Sequence, residues 1–438
     1  MTRKRQRQYV LPPFLLLPIA TFFAGVWLAT LTPSVYAAAG DLDPSFDSDG
    51  RQVFSSMSDD RGFALALQND GKIIIAGDTD FLGASDVLLL RFNVDGSPDL
   101  TFNTTGRRIY NEPEAEDHGR AVAVQSNGRI VAAGYSNLFG TNDVLLLRFN
   151  ANGSLDFTFD NDGRRIFSSA NSDDRAFAVA VQPGDGKIVV AGYTNLLGTN
   201  DVLVMRFNAN GSADPTFDGD GRVVINGPGN DVGQALVLQA DGKIVVAGYT
   251  NVLGDNDFLV IRLNVNGSLD RTFDGDGRQA IRGFGGDDRA QAVKMQSDGK
   301  IILAGYTNAA GNNDFAVARL NVNGSLDVSF DVDGRQIVSG FGGDDRAQAV
   351  AVQPDGKIVL AGYTNAAGKN DFALARLNAN GSLDAAFGVG GRVVTRGFGG
   401  DDRAQAVAIQ PAAGKIVAAG YTNGPGTNDV AVARYLTR

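Results

Sequence analysis

One pattern recurs seven times along this chain of 438 residues, and it constrains the fold more than any other feature. Each copy holds the tripeptide Ala-Gly-Tyr, which is Ala-Gly-Asp in the first copy, and an arginine follows fourteen residues after the glycine. The glycines lie 56 to 58 residues apart, at Gly77, Gly134, Gly192, Gly248, Gly305, Gly362 and Gly420. A fixed period of this length is the signature of a repeat architecture, so the fold has to be built from one unit used seven times.

Each copy reads as four short strands, which the sixth copy illustrates. Residues 347–353 form an apolar run, a Pro-Asp-Gly turn follows, and residues 357–364 and 371–377 form two further apolar runs. A turn-rich link over 378–384 leads to a fourth run at 392–395. The Asp-Gly pair supplies the positive φ that a tight hairpin needs. No ten-residue window beyond the N-terminal segment has a 3.6-residue period, so we expect almost no helix.

The strands are apolar on both faces, so each sheet needs a neighbouring sheet on either side. A ring of radially stacked sheets meets this need. A small residue fills one inner-strand position, where blades crowd the axis, in every copy: Ala64, Ala121, Ala178, Ala235, Ala292, Ala349 and Ala406. A parallel β-helix is the rival architecture, but its coils are shorter than this unit. The sequence therefore predicts an all-β fold, a seven-bladed β-propeller of four-stranded antiparallel blades.

The two ends of the repeat array complement one another. The seventh copy has three strands, whereas residues 41–46 and 51–54 resemble the link and the fourth strand of a copy. We expect the N-terminal strand to complete the C-terminal blade, which closes the ring and removes two open sheet edges.

The first 37 residues lie outside the array. Arg3, Lys4, Arg5 and Arg7 precede an apolar stretch over 10–31, and small residues follow at 35–37. This pattern is typical of a secretory signal peptide, with a single propeller domain over 38–438 and a secreted, periplasmic or cell-surface location. The alternative is an uncleaved membrane anchor, because about 22 apolar residues can span a bilayer. The chain has no cysteine, so neither a disulfide framework nor a lipoprotein anchor is available.

The charge of the array limits its partners. The first 37 residues hold four of the 39 basic residues and none of the 49 acidic ones, which leaves 35 minus 49, or −14. A repeated acidic surface argues against nucleic acid and against anionic membranes once the signal is removed. It favours solubility, cations or basic ligands, and we expect a monomer.

The repeat resembles a known family. Residues 155–159 (Leu-Asp-Phe-Thr-Phe), 241–248 (Asp-Gly-Lys-Ile-Val-Val-Ala-Gly) and 372–378 (Phe-Ala-Leu-Ala-Arg-Leu-Asn) look like the delta-60 repeat of bacterial secreted and surface proteins. NHL-type propeller repeats are more distantly similar. The resemblance covers about residues 41–438 and implies a β-propeller. It implies no activity and no catalytic residues.

Two aspartates recur in all seven copies. One set precedes the inner strand, and we take these residues, with His118, as candidate ligand-binding residues at the channel mouth: Asp60, Asp117, Asp174, Asp231, Asp288, Asp345 and Asp402. The other set opens the third strand: Asp86, Asp143, Asp201, Asp257, Asp314, Asp371 and Asp429. A partly buried arginine needs a carboxylate. We therefore expect the repeated arginines to pair with one set and the other set to cap turn amides. The alternative is a carboxylate ring that binds a cation or a basic ligand.

Other sequence features leave catalysis weakly supported. Five copies contain Asp-x-Asp-Gly, which could be a calcium loop but lacks the bidentate glutamate and is more simply a turn. His118 is the one histidine, so no Ser-His-Asp set repeats and no histidine cluster can hold a transition metal. The sequence departs from the repeat at residues 111–118, Arg282, Lys294 and Arg396.

We expect an exported binding or structural module with an extracellular protein or carbohydrate ligand. It needs no cofactor, although calcium is a possible ligand. Two alternatives stay open. The first is a hydrolase or lyase with a carboxylate or calcium site on the channel face, and the second is a lectin with repeated pockets between blades. Fold alone does not decide among them.

Overall fold

The computed structural model describes residues 37–438 apart from positions 82, 170, 253, 412, 413 and 425. Within these residues the chain forms 28 strands in seven four-stranded sheets, and none of the described residues is helical. Neighbouring strands are antiparallel in every sheet. The predicted all-β, seven-bladed architecture is confirmed. The predicted signal peptide lies outside the described residues except for its last position.

The four strand positions of the repeat give the four strands of each blade. The inner strands are β2 (Asp60–Leu67), β6 (Asp117–Val124), β10 (Asp174–Val181), β14 (Asp231–Leu238), β18 (Asp288–Met295), β22 (Asp345–Val352) and β26 (Asp402–Ile409). The second strands are β3 (Ile73–Thr79), β7 (Ile130–Ser136), β11 (Ile188–Thr194), β15 (Ile244–Thr250), β19 (Ile301–Thr307), β23 (Ile358–Thr364) and β27 (Ile416–Thr422).

The third strands are β4 (Asp86–Phe92), β8 (Asp143–Phe149), β12 (Asp201–Phe207), β16 (Asp257–Leu263), β20 (Asp314–Leu320), β24 (Asp371–Leu377) and β28 (Asp429–Tyr435). The outer strands are β5 (Arg107–Tyr110), β9 (Arg164–Phe167), β13 (Arg222–Ile225), β17 (Arg278–Ile281), β21 (Arg335–Val338), β25 (Arg392–Thr395) and, for the seventh blade, β1 (Arg51–Phe54). Each inner strand contacts the inner strands of the two adjacent blades, so the seven form a closed ring around a central channel.

Burial follows from the two-sided apolar pattern. Both middle strands of blade six, β23 and β24, are buried along their whole length. Their side chains belong to two cores, one shared with blade five and one with blade seven. Ala349 is 8% exposed and packs in the core that contains Phe372 and Leu374. The small side chain at this position lets the inner strands approach near the axis.

The ring closes through the N-terminal strand. Strand β1 pairs antiparallel with β28 in the register Arg51↔Ala433 to Phe54↔Val430. Asp43 adds an ion pair, because its carboxylate lies 2.9 Å from Nε of Arg434. This is the pairing expected from the sequence.

The repeated arginine connects each blade to the next, but its partner differs from the prediction. Nε of Arg319 lies 2.6 Å from the carboxylate of Asp327, which belongs to neither predicted aspartate set. The equivalent partners are Asp43, Asp99, Asp156, Asp214, Asp270 and Asp384. The predicted pairing is therefore wrong. Asp314 begins the strand five residues before Arg319 and so lies about 16 Å away. The link instead folds back, and the amide of Asp327 donates to the carbonyl of Arg319 at 2.9 Å.

The same guanidinium also donates to the neighbouring blade. Arg319 hydrogen-bonds the carbonyl of Ala379, and Arg434 closes the circle by donating to the carbonyl of Val94 in blade one. Burial by itself would raise the pKa of Asp327, but hydrogen bonds from Lys300 and Ser329 and the charge of Arg319 hold that pKa well below its usual range. The carboxylate of Asp327 is thus ionised, and its contacts with Arg319 and Lys300 stabilise the fold.

Candidate functional site at the channel mouth

The seven aspartates expected to face the channel mouth are buried instead. Each begins an inner strand and is at most 4% exposed. Its backbone amide donates, at 2.7 Å, to the carbonyl of the residue just before the third-strand aspartate of the preceding blade. We call the two carboxylates at each boundary an interblade aspartate pair: Asp60 with Asp429, Asp117 with Asp86, Asp174 with Asp143, Asp231 with Asp201, Asp288 with Asp257, Asp345 with Asp314, and Asp402 with Asp371.

These pairs carry perturbed carboxylates. Burial, with the charge of Asp314 as a smaller cause, raises the pKa of Asp345 to about 6, although the Thr364 hydroxyl acts in the opposite direction. Part of the capping prediction is confirmed, because four of the seven inner-strand aspartates accept a backbone amide from the loop that precedes them. These four are Asp60, Asp117, Asp174 and Asp402.

A β-bulge sets which side chains line the channel. In blade six the register of β22 against β23 shifts between Ala347 and Ala349, which leaves Gln348 without a partner residue. A bulge re-aims the extra side chain, and here it points the side chain at the axis. All seven blades carry this bulge. The resulting channel ring consists of Phe63, Arg120, Phe177, Gln234, Gln291, Gln348 and Gln405.

The channel ring surrounds a cavity of about 410 Å³ that Tyr135 also lines. Its two halves differ in chemistry. Blades four to seven each contribute a glutamine, whereas blades one to three contribute two phenylalanines and one arginine. No carboxylate belongs to the channel ring. The asymmetry lies in residues that a blade does not need, because four other copies form the same blade with glutamine.

Three residues that break the repeat meet at the boundary of blades one and two. Asp78 replaces the tyrosine of the other six copies, His118 replaces an arginine found in five, and Arg120 is the one basic residue of the channel ring. Nδ1 of His118 lies 2.8 Å and a guanidinium nitrogen of Arg120 lies 3.1 Å from the same carboxylate oxygen of Asp78. The amide of Gly119 donates to the other oxygen at 2.8 Å.

The carboxylate of Asp78 thus holds both neighbours in place. When His118 donates through Nδ1, its Nε2 atom is free to accept a proton or a hydrogen bond. The ring of His118 also packs on Tyr135, with centroids 4.6 Å apart, and Arg120 stacks 4.0 Å from the ring centre of Phe63. His118 and Arg120 both line a second cavity of about 110 Å³ beside the channel.

The replacements at Asp78 and His118 occur together for a structural reason. Elsewhere on this face an arginine that follows the inner-strand aspartate stacks on the tyrosine of the preceding blade, as Arg346 does 5.0 Å from the ring centre of Tyr306. At the first boundary the tyrosine is Asp78 and the arginine is His118, so an ion-pair or hydrogen-bond contact replaces a cation–π contact. Sequence reasoning found His118 but missed Asp78, Arg120 and Phe63, although a column-by-column comparison of the seven copies would have found all three.

The remaining departures from the repeat do not converge on this cluster. Arg282 and Arg396 lie 3.5 Å from Asp257 and 3.4 Å from Asp371, respectively. Lys294 lies on inner strand β18, and its side chain is exposed. The surrounding protein nevertheless excludes part of the bulk water from its amine, and this desolvation lowers the pKa of Lys294. A larger cavity of about 730 Å³ lies between the first-to-second-strand turns of blades two and three, on the opposite face. Its lining comes mostly from turns present in every blade.

Among the described residues, no three histidine, aspartate or glutamate side chains converge as a metal-binding group. The Asp-x-Asp-Gly segments form turns, in which the third residue accepts the amide two positions later, as Asp333 does from Arg335. No described helix is long and apolar enough to cross a membrane.

Comparison with known proteins supports the repeat and the fold. Six segments match the family model described as "Domain of unknown function (DUF5122) beta-propeller", at residues 68–102, 125–159, 184–217, 239–273, 296–330 and 353–387. This chain is a β-propeller repeat protein. The narrower delta-60 assignment stays a prediction. No curated protein matches the sequence.

Solved structures show distant likeness. A protein of unknown function from Dyadobacter fermentans is 14% identical, with 72% of this chain and 93% of that chain covered and a TM-score of 0.44. The polysaccharide lyase Uly1 is 11% identical, with 86% and 90% covered and a TM-score of 0.49. A catalytically inactive variant of virginiamycin B lyase from Staphylococcus aureus is 10% identical, with 88% and 99% covered and a TM-score of 0.47. Likeness at this level carries no argument about function.

Proposed function

We propose that this protein is an extracytoplasmic binding module that takes a carbohydrate at the mouth of its central channel. The observation that carries the proposal is the two-sided chemistry of the channel ring. Phe63 and Phe177, with Tyr135 beside them, face a cavity whose other side is built from four glutamine side chains.

These residue types fit a sugar. An aromatic ring offers an apolar face on which the C–H face of a pyranose can pack, and such rings lose little conformational entropy. Each glutamine has an amide that both donates and accepts, which matches the paired character of a hydroxyl group. Binding sites commonly combine apolar walls with a few convergent polar groups. The cavity of about 410 Å³ has the size of a small-ligand site.

The ligand class also fits the charges of the channel ring. Arg120 is the one cation of the channel ring, and its charge is shared with Asp78 at 3.1 Å. A neutral or weakly acidic sugar meets no carboxylate in the ring, whereas a basic ligand would meet Arg120. The proposal therefore departs from the expectation of basic ligands that net charge alone suggested. Support for an extracytoplasmic location comes from the basic and apolar pattern of residues 1–37.

A glycan array tests the proposal. We expect the purified protein to bind a limited set of glycans and the Phe63→Ala variant to lose about five- to thirtyfold in affinity, since aromatic stacking in a desolvated pocket contributes roughly 1–2 kcal/mol. Phe157→Ala is the matched control, because Phe157 is 69% exposed and lies in the third-to-fourth-strand link on the opposite face. The absence of any glycan bound, or equal losses in the two variants, would refute the proposal.

A second candidate function, catalysis on the same face, is favoured by the Asp78–His118 contact. A carboxylate on Nδ1 orients the imidazole and leaves Nε2 to act as a general base. Incubation of bound glycans with the native protein and with His118→Ala separates the two functions. Release of new sugar ends by the native protein alone supports an enzyme. Binding without any release, unchanged in the variant, restricts the site to recognition.

A further inference from the structure

The hydrogen-bond donors and positive charges near the interblade aspartate pairs differ from one boundary to the next. At the three boundaries formed by Asp143 with Asp174, Asp314 with Asp345, and Asp60 with Asp429, one carboxylate has no described donor in hydrogen-bond geometry on either oxygen. These three carboxylates are those of Asp143, Asp345 and Asp429, and each residue is 0% exposed. Two carboxylates in one dry gap, one of them without donors, call for a compensating positive charge.

The chain itself supplies that charge at two other boundaries. Arg396 follows the outer strand of blade six and reaches to 3.4 Å from Asp371, and Arg282 follows the outer strand of blade four and reaches to 3.5 Å from Asp257. At the Arg396 boundary the inner-strand partner, Asp402, accepts the amide of Gly400 and the hydroxyl of Thr422. At the Arg282 boundary Asp288 still lacks donors, but its partner holds the arginine.

The three boundaries with an unpartnered carboxylate share one residue at the position of these arginines. Ser55, Ser168 and Ser339 each follow an outer strand where Arg282 and Arg396 stand in the other two boundaries. Burial raises the pKa of Asp143 and of Asp429, and the nearby hydroxyls of Ser168 and Ser55 offset this only in part. A serine adds no charge, so it cannot neutralise the two carboxylates as a guanidinium does. The two arginines show that a positive charge can lie beside the third-strand aspartate. At the three boundaries with serine, the chain provides no positive charge at this position.

We propose that each of these three serine boundaries binds one divalent cation, Ca²⁺ in preference to Mg²⁺, between its two carboxylates. The available ligands are oxygens, namely two carboxylates and the hydroxyl on the second strand, such as Thr364 opposite Asp345. Two carboxylates match the charge of a divalent ion, and backbone carbonyls or water complete its shell. Ca²⁺ accepts irregular sets of six to eight oxygens, whereas Mg²⁺ demands a near-octahedral shell. The sites are separate from the channel mouth and do not depend on the proposed carbohydrate function.

The test counts bound calcium by equilibrium dialysis after treatment with chelator, with Mg²⁺ as a second probe, and follows the melting temperature. We expect one Ca²⁺ for each serine boundary and a melting temperature that rises with Ca²⁺, because an ion that binds only the folded state stabilises it. Asp314→Asn should remove one Ca²⁺ per chain. Ser339→Arg should do the same while keeping both carboxylates, since the new guanidinium takes the place of the ion.

Asp371→Asn is the matched control, because its boundary already contains Arg396 and should leave the calcium count unchanged. The competing account is a proton shared by each pair. In that case Ca²⁺ neither binds nor shifts the melting temperature, and Asp314→Asn raises the melting temperature in chelator at pH 8. That result would overturn the proposal. An unchanged calcium count in Ser339→Arg, or an equal loss in the Asp371→Asn control, would overturn it as well.

Discussion

The ion pair between Arg319 and Asp327 gives the clearest measure of what holds the blades together. Both residues are 5% exposed, and Asp327 also accepts from Lys300 at 2.8 Å. Asp327→Asn removes the negative charge but keeps the shape, so the buried guanidinium of Arg319 and the partly exposed amine of Lys300 lose their counter-charge. Breaking such a pair from one side costs about 3–5 kcal/mol. With an unfolding entropy of about 2.1 cal/mol/K per residue over roughly 400 residues, the melting temperature should fall by about 4–6 °C.

Asp333→Asn provides the control for this experiment. Asp333 also pairs with an arginine, Arg335 at 2.8 Å, but its side chain is 51% exposed. An exposed pair contributes about 0–1 kcal/mol, so the melting temperature should change by about 1 °C or less. Differential scanning calorimetry of the native protein and both variants measures the difference. Equal effects in the two variants would show that the repeated arginine does not hold the blades together.

The remaining predictions concern closure, packing and pH. A chain truncated to begin at Asp59 instead of Ala38 loses strand β1 and should aggregate or melt far below the longer form in thermal scans, whereas equal melting would contradict closure. Ala349→Leu should cost about 1–3 kcal/mol in urea unfolding because the site is packed. Ser126→Ala, in a hairpin turn, should cost less than about 0.5 kcal/mol, and similar costs would contradict the inner-strand packing. Burial raises the pKa of Asp345 to about 6 in the folded protein. In chelator, the stability that protonated Asp345 contributes should therefore be complete below about pH 4 and be lost as the pH rises through 6. Asp345→Asn should remove this part of the pH dependence of stability, and an unchanged pH profile would refute the prediction.

Most of the fold follows from the sequence because the same signal is present seven times. The predicted strands of the sixth copy at 357–364, 371–377 and 392–395 differ from the observed ones by at most one residue, and the predicted inner strand at 347–353 begins two residues late. A strand whose assignment is ambiguous in one copy can be assigned from the other copies. The missing fourth strand of the seventh copy and the extra strand at residues 51–54 together predict how the ring closes.

The side-chain contacts were harder to predict. The partner of Arg319 lies eight residues further along the chain, and only the folded-back link brings the two together. The burial of Asp345 depends on the blade next to it, which a pattern within one repeat does not describe. The bulge that turns Gln348 toward the axis leaves no clear mark in an apolar run. The cluster of Asp78, His118 and Arg120 was nonetheless visible in the sequence, since Asp78 is the single exception in a column of tyrosines and Arg120 is the one basic residue in a column of glutamines and phenylalanines.

A crystal structure of the protein with the tightest-binding glycan from the array tests the central claim most directly. The account predicts that the sugar lies in the channel mouth within about 4 Å of Phe63, with its hydroxyl groups hydrogen-bonded to glutamines of the channel ring such as Gln348. A sugar bound elsewhere would contradict it, whether at the turns around Arg129 and Gln182 on the opposite face or repeated in the gaps between blades.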